Sequence, residues 1–121
     1  MKASDLRIGN YISIFDKVIK VEGFCIWDNL VQSSEFAERT IDEFRPIPLT
    51  EEILLKCGFE YDNYEKCYKY GYWGFYKDGD DFIPTDYYFS SAFSDNFKLK
   101  YLHQLQNLIH SLTGEELNIQ L

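Results

Sequence analysis

Basic residues are scarce in this chain, and none of them cluster. Twelve Lys and Arg face 20 Asp and Glu, for a formal net charge of −8. Binding to nucleic acid through phosphates draws its affinity from grouped Lys and Arg, so direct nucleic-acid binding is not expected. Three cysteines, Cys25, Cys57 and Cys67, are an odd number without a CxxC pair. That disfavours both a disulfide framework and a zinc site and leaves buried free thiols in a reducing cytosol. No apolar run approaches the ~20 residues of a membrane span, and the start of the chain has no signal-peptide pattern. A cytoplasmic protein is expected. Nucleophile elbow, phosphate loop, HExxH and dinucleotide fingerprint are all missing, so no cofactor, metal or catalytic residue is assigned.

What is present is a globular composition, 45% hydrophobic, with ten Tyr and ten Phe against one Met. At 121 residues the chain is read as a single domain, 1–121, with one modest core. Its first third alternates apolar and polar residues in "NYISIF" and "KVIKVEGF", joined at Asp16–Lys17, and then "CIWDNLVQ" turns at Asp28–Asn29. "RTIDEF" reads as a further strand. The result is a small curled antiparallel sheet, SH3-like in general shape.

"PIPLTEEILLKCGF" carries a complete helix signature. Thr50 is the N-cap, Glu51 and Glu52 sit at the positive end of the dipole, Leu49 can staple to Leu54, and Gly58 supplies the left-handed stop before Phe59. Aromatics crowd the segment that follows. "KCYKYGYWGFYKDGDDFI" reads as one hairpin turning at Asp78–Gly79, with Tyr68, Tyr70 and Tyr72 on one face and Trp73 and Phe75 on the other. Pro84 points to an edge strand or loop, and the Ser-rich "SSAFSDN" to a loop.

A last helix is expected from Phe97 or Lys98 to Leu112, stopped by Thr113–Gly114. Leu99, Leu102, Leu105, Leu108, Ile109 and Leu112 form its apolar stripe. His103, Gln106, Asn107 and His110 fall mostly off that stripe, which places both histidines on the surface. They lie about 10 Å apart along the axis, too far to share one metal. The fold class is therefore α+β: curled sheet, short helix, aromatic hairpin, C-terminal packing helix.

Three stretches, "LRIGNYI" (6–12), "PIPLTEEILLKCGF" (46–59) and "KYLHQLQNLIHSLTGEEL" (100–117), resemble a family of small proteins of uncharacterised function from Bacteroidetes genomes, phages and prophages. In that family a RIGN-type start, a PIPLTEE helix ending in GF, and an HxLQNLxxxLTGxEL segment recur around a variable middle. The resemblance implies a mobile-element home and transfers no catalytic or binding residue. With the acidity and the missing catalytic motifs, it leads us to expect a non-enzymatic accessory protein that binds and inhibits a host protein. The concrete form is an anti-CRISPR-like inhibitor of a nucleic-acid-binding defence effector such as a CRISPR nuclease. A structural or scaffolding module and a small enzyme with an unrecognised carboxylate site are the alternatives. Partner-binding residues are expected in the hairpin: Tyr68, Tyr70 and Tyr72 as the contact row, and Asp78, Asp80 and Asp81 as an acidic tip steering a basic partner.

Overall fold

The structure is a computed structural model that describes residues 1–120 apart from Ile26, Ser34, Ala37, Tyr72 and 87–97. It is α+β and divides into two compact units: Met1–Pro48 with Tyr101–Glu116, and Leu49–Lys100 with Leu117–Leu121.

The first unit is built on a curled antiparallel sheet of β1 (Tyr11–Ile14), β2 (Lys17–Cys25), β3 (Leu30–Ser33) and β4 (Arg39–Thr40), in that order. The strand periodicity buries Ile12, Ile14, Ile19, Val21 and Val31 on one side, where Leu6, Ile41 and Phe44 complete a core. Curling is possible because the long β2 is shared: its first half pairs with β1, its second with β3, and the register slips between Val21 and Gly23. A Cβ on Gly23 would stand 2.8 Å from Gln32 Oε1, so a larger residue there would displace the end of that side chain. The β1–β2 turn consists of Phe15 and Asp16, one residue earlier than the sequence suggests. Both sit at positive φ, 50° and 61°, the primed geometry that matches strand twist. Such a conformation is costly for a ring-bearing residue, and Phe15 is held there by Phe36, edge to face at 5.8 Å, and by the Arg39 guanidinium 5.3 Å above its centroid. "RTIDEF" contributes only the two residues of β4 before tightening into a 3-10 turn at Ile41–Glu43.

Helix α2 runs Leu102–Thr113, starting later than expected. The preceding residues are extended: Leu99 bridges Phe82 within the second unit, and Tyr101 bridges Pro48 within the first. Gly114, at φ 75°, ends the helix as the sequence indicates. The helix packs on β1 through a polar clamp that the periodicity reading misses. Gln106, fully buried, accepts from the Tyr11 N–H (2.8 Å) and donates to the Gly9 carbonyl (3.0 Å). Asn10, also buried, donates to Asn107 Oδ1 (2.9 Å) and accepts from the Arg7 N–H (2.7 Å), while Arg7 forms an ion pair with Glu116. Gln106 and Asn10 are therefore core residues, and so is His103, which the stripe had placed outside.

In the second unit, α1 (Glu51–Lys56) forms as its sequence dictates. Thr50 Oγ1 accepts from the Ile53 N–H (3.2 Å), and past Gly58 (φ 89°) the Phe59 N–H returns to the Leu54 carbonyl at 3.1 Å. An antiparallel sheet follows, β5 (Glu60–Asp62), β6 (Cys67–Tyr70), β7 (Trp73–Asp78) and β8 (Asp81–Asp86), in chain order. Pro84 lies in β8, an edge strand, where a missing N–H is tolerated.

Candidate partner-binding surface

One turn rearranges the expected aromatic hairpin. Tyr68 pairs with Phe75 and Tyr70 with Trp73, so the chain reverses between Tyr70 and Trp73, with Gly71 at φ 60°. A second reversal follows at Gly79 (φ 61°), where Asp78 pairs with Asp81. Directly opposed residues share a face, so Tyr68, Tyr70, Trp73 and Phe75 all lie on the same side. The expected division into a tyrosine face and a Trp/Phe face is corrected accordingly: the extra turn inverts the side-chain parity of everything after it.

That shared side is the core of the unit. Phe75 and Phe82 are fully buried, and Tyr68 is 7% exposed. Phe59 stacks on Tyr70 at 4.9 Å and meets Phe75 edge to face at 5.1 Å, and Tyr68 meets Phe82 at 6.3 Å. Tyr68 is thus a core side chain and Tyr70 a half-buried one. Tyr72 lies outside the described residues.

The Tyr68 hydroxyl reaches the border of the core, donating to the Glu51 carboxylate, which Lys77 Nζ also meets at 2.9 Å. Tyr61, edge to face on Tyr68 at 4.9 Å, and Lys66 complete a pocket of about 440 Å³. Lys77 and then Tyr68 hold Glu51 below the usual carboxylate range, while burial and then Glu51 push Tyr68 up to about 12.

The aromatic residues that do face outward are others. Asp62 Oδ1 accepts from the Tyr64 and Glu65 N–H groups (2.8 and 3.1 Å), and its Oδ2 meets Lys69 Nζ at 2.6 Å. The turn so fixed presents Tyr64 at 93% exposure, with half-exposed Tyr61 nearby in β5. The Asp62–Asn63 pair is the sequence signal for this turn. In the first unit Trp27, beside Asp28, is 95% exposed. At the acidic tip Asp78 has Lys98 at 3.4 Å and Asp81 has Lys100 at 3.8 Å.

Cys57 and Cys67 are buried, and burial pushes the Cys57 thiol up to about 11. Cys25 is half-buried, 3.7 Å from Asp28 Oδ2. Among the described residues no group of three His, Cys, Asp or Glu is arranged to hold a metal, and no helix is long and apolar enough to cross a membrane. No family model matches this chain, and neither does any curated protein or solved structure.

Proposed function

We propose that this protein acts without catalysis, by binding another protein that presents a basic surface. In its concrete form the partner is a nucleic-acid-binding defence effector of a bacterial host, a CRISPR nuclease for instance, and binding inhibits it. The observation that carries the reading is the combination of a net charge of −8 with large aromatic side chains left in water, Tyr64 foremost. Tyr and Trp dominate the energetics of protein interfaces, and surplus acidic charge speeds encounter with a basic partner. The mobile-element resemblance supports the choice of partner. The contact residues of this reading are Tyr64 in the Asp62–Lys66 turn and Tyr61 in β5, in the role first given to Tyr68, Tyr70 and Tyr72.

The test is affinity capture from a Bacteroidetes host lysate at low salt, followed by binding of the purified partner to wild type and to Tyr64→Ala. A basic nuclease whose binding weakens in the variant supports the reading. Capture of nothing but further copies of this chain overturns it in favour of a structural module.

A further inference from the structure

The pocket of about 440 Å³ in the second unit has two ammonium groups in its wall, Lys66 and Lys77, against one carboxylate, Glu51, with Tyr61 and Tyr68 as its rings. The carboxylate is already met from inside the wall: Lys77 Nζ stands 2.9 Å from it, and the Tyr68 hydroxyl donates to it. Lys66 is different. Its side chain is exposed and has no ion pair or hydrogen bond among the described residues. It also sits at φ 57°, a left-handed conformation that glycine adopts freely and lysine does not. The turn is closed by the Lys66 N–H donating to the Asp62 carbonyl at 2.7 Å, a main-chain bond that glycine would make equally well. Holding the turn therefore does not account for the ammonium group.

The lining selects the sign of an occupant. A cation would meet two ammonium groups and a carboxylate whose contacts are taken by Lys77 and Tyr68. An anion would meet unspent donors: the whole Lys66 ammonium, and the N–H groups that half-exposed Lys77 keeps beyond the one given to Glu51. The chain's charge of −8 opposes an anion at long range, but salt screens that repulsion beyond about 8–10 Å and leaves direct contacts in place. The lining also bears on size. One water takes up roughly 30 Å³, and small-molecule pockets begin near 300 Å³, so the space suits more than a bare ion. Tyr61, half-exposed and held edge to face on Tyr68 at 4.9 Å, offers a fixed aromatic wall to the rest of a molecule.

We propose that this pocket binds a small organic oxyanion, a phosphate monoester or a carboxylate, whose charged head takes hydrogen bonds from Lys66 and Lys77 and whose body lies against the Tyr61 ring. The two head groups share these contacts and differ in charge and in the number of acceptor oxygens. The site has Tyr61 in common with the proposed contact face but does not rest on that reading, and its test involves no protein partner.

The experiment uses the whole chain labelled with ¹⁵N, following the amide signals of Tyr61, Lys66 and Lys77 by NMR while adding phenyl phosphate. Benzoate, inorganic phosphate and the flat cation benzamidine form the other arms. Saturable movement of the three signals with phenyl phosphate or benzoate is expected, with benzamidine without effect and inorganic phosphate weaker. Lys66→Gln should weaken binding about fivefold or more, as loss of one charge contact does, and Lys66→Arg should restore it. Lys66→Gly, which relieves the left-handed lysine, should lose the anion without lowering the urea midpoint, so that lost binding is not lost folding. Tighter binding of phenyl phosphate assigns a phosphate monoester, and tighter binding of benzoate assigns a carboxylate. Signals that ignore both aromatic anions, that follow benzamidine instead, or that move equally in Lys66→Gln overturn the proposal. Inorganic phosphate binding as tightly as phenyl phosphate overturns it in favour of a bare ion.

Discussion

Replacing Gln106 by leucine tests the polar clamp between α2 and the sheet. Tyr11 starts the edge strand β1, and its N–H is taken by Gln106 Oε1 at 2.8 Å, while the Gly9 carbonyl is taken by Gln106 Nε2 at 3.0 Å. Leucine has similar volume, so packing is largely kept, but a backbone donor and a backbone acceptor are left without partners. Orphaning each costs about 1–3 kcal/mol, and the apolar gain of leucine offsets part of it, so the net loss should be about 2–4 kcal/mol. Urea denaturation followed by tryptophan fluorescence should show a lower midpoint at unchanged slope. Amide exchange at Tyr11 should accelerate with it, since that N–H loses its acceptor. A loss below about 0.5 kcal/mol, with Tyr11 still protected, would show that water replaces the amide at no cost and that the clamp is dispensable.

Other outcomes follow from the same geometry. Leu105→Ala should cost about 2–5 kcal/mol, because the side chain is fully buried, whereas His110→Ala, half-buried in the last turn, should stay within about 0.5 kcal/mol; equal losses would refute the assignment of helix faces. Because the folded pKa of His103 lies below the unfolded value, its contribution is complete above about pH 6.5 and is lost as pH falls from there toward the folded value. Urea midpoints should therefore drop between pH 7.5 and pH 5.5. An unchanged midpoint would contradict the buried neutral imidazole. Toward a thiol reagent, half-buried Cys25 should react first, and Cys57, buried and poorly ionised, should wait for unfolding; equal rates would contradict the packing around Cys57.

Elements whose cause is local were legible in the sequence. Thr50, Gly58 and Gly114 each act within a few residues, and α1 and the end of α2 fall where they say. Alternation in "NYISIF" and "KVIKVEGF" likewise gives β1 and β2 with their buried faces. What failed depends on partners far along the chain. Gln106 and His103 look polar on a helical wheel, and only the Gly9–Tyr11 segment some 95 residues earlier explains why Gln106 is buried. The parity of the aromatic strands hung on one unnoticed turn at Gly71, which put Trp73 and Phe75 on the same side as Tyr68 and Tyr70, and that side is the core. Acidity at Asp78 and Asp81 was visible, but the lysines that meet it, Lys98 and Lys100, lie about 20 residues on, past a bridge from Phe82 to Leu99.

Binding of a basic protein partner is the central claim, and association kinetics at two salt concentrations test it most directly. The partner captured from lysate is immobilised, and wild type, Asp80→Lys and Tyr64→Ala are passed over it at low and physiological ionic strength. Wild type should associate several-fold faster at low salt, Asp80→Lys should lower the on-rate and flatten that dependence, and Tyr64→Ala should mainly raise the off-rate. Binding that ignores salt and both substitutions, with the fold intact, would contradict the account.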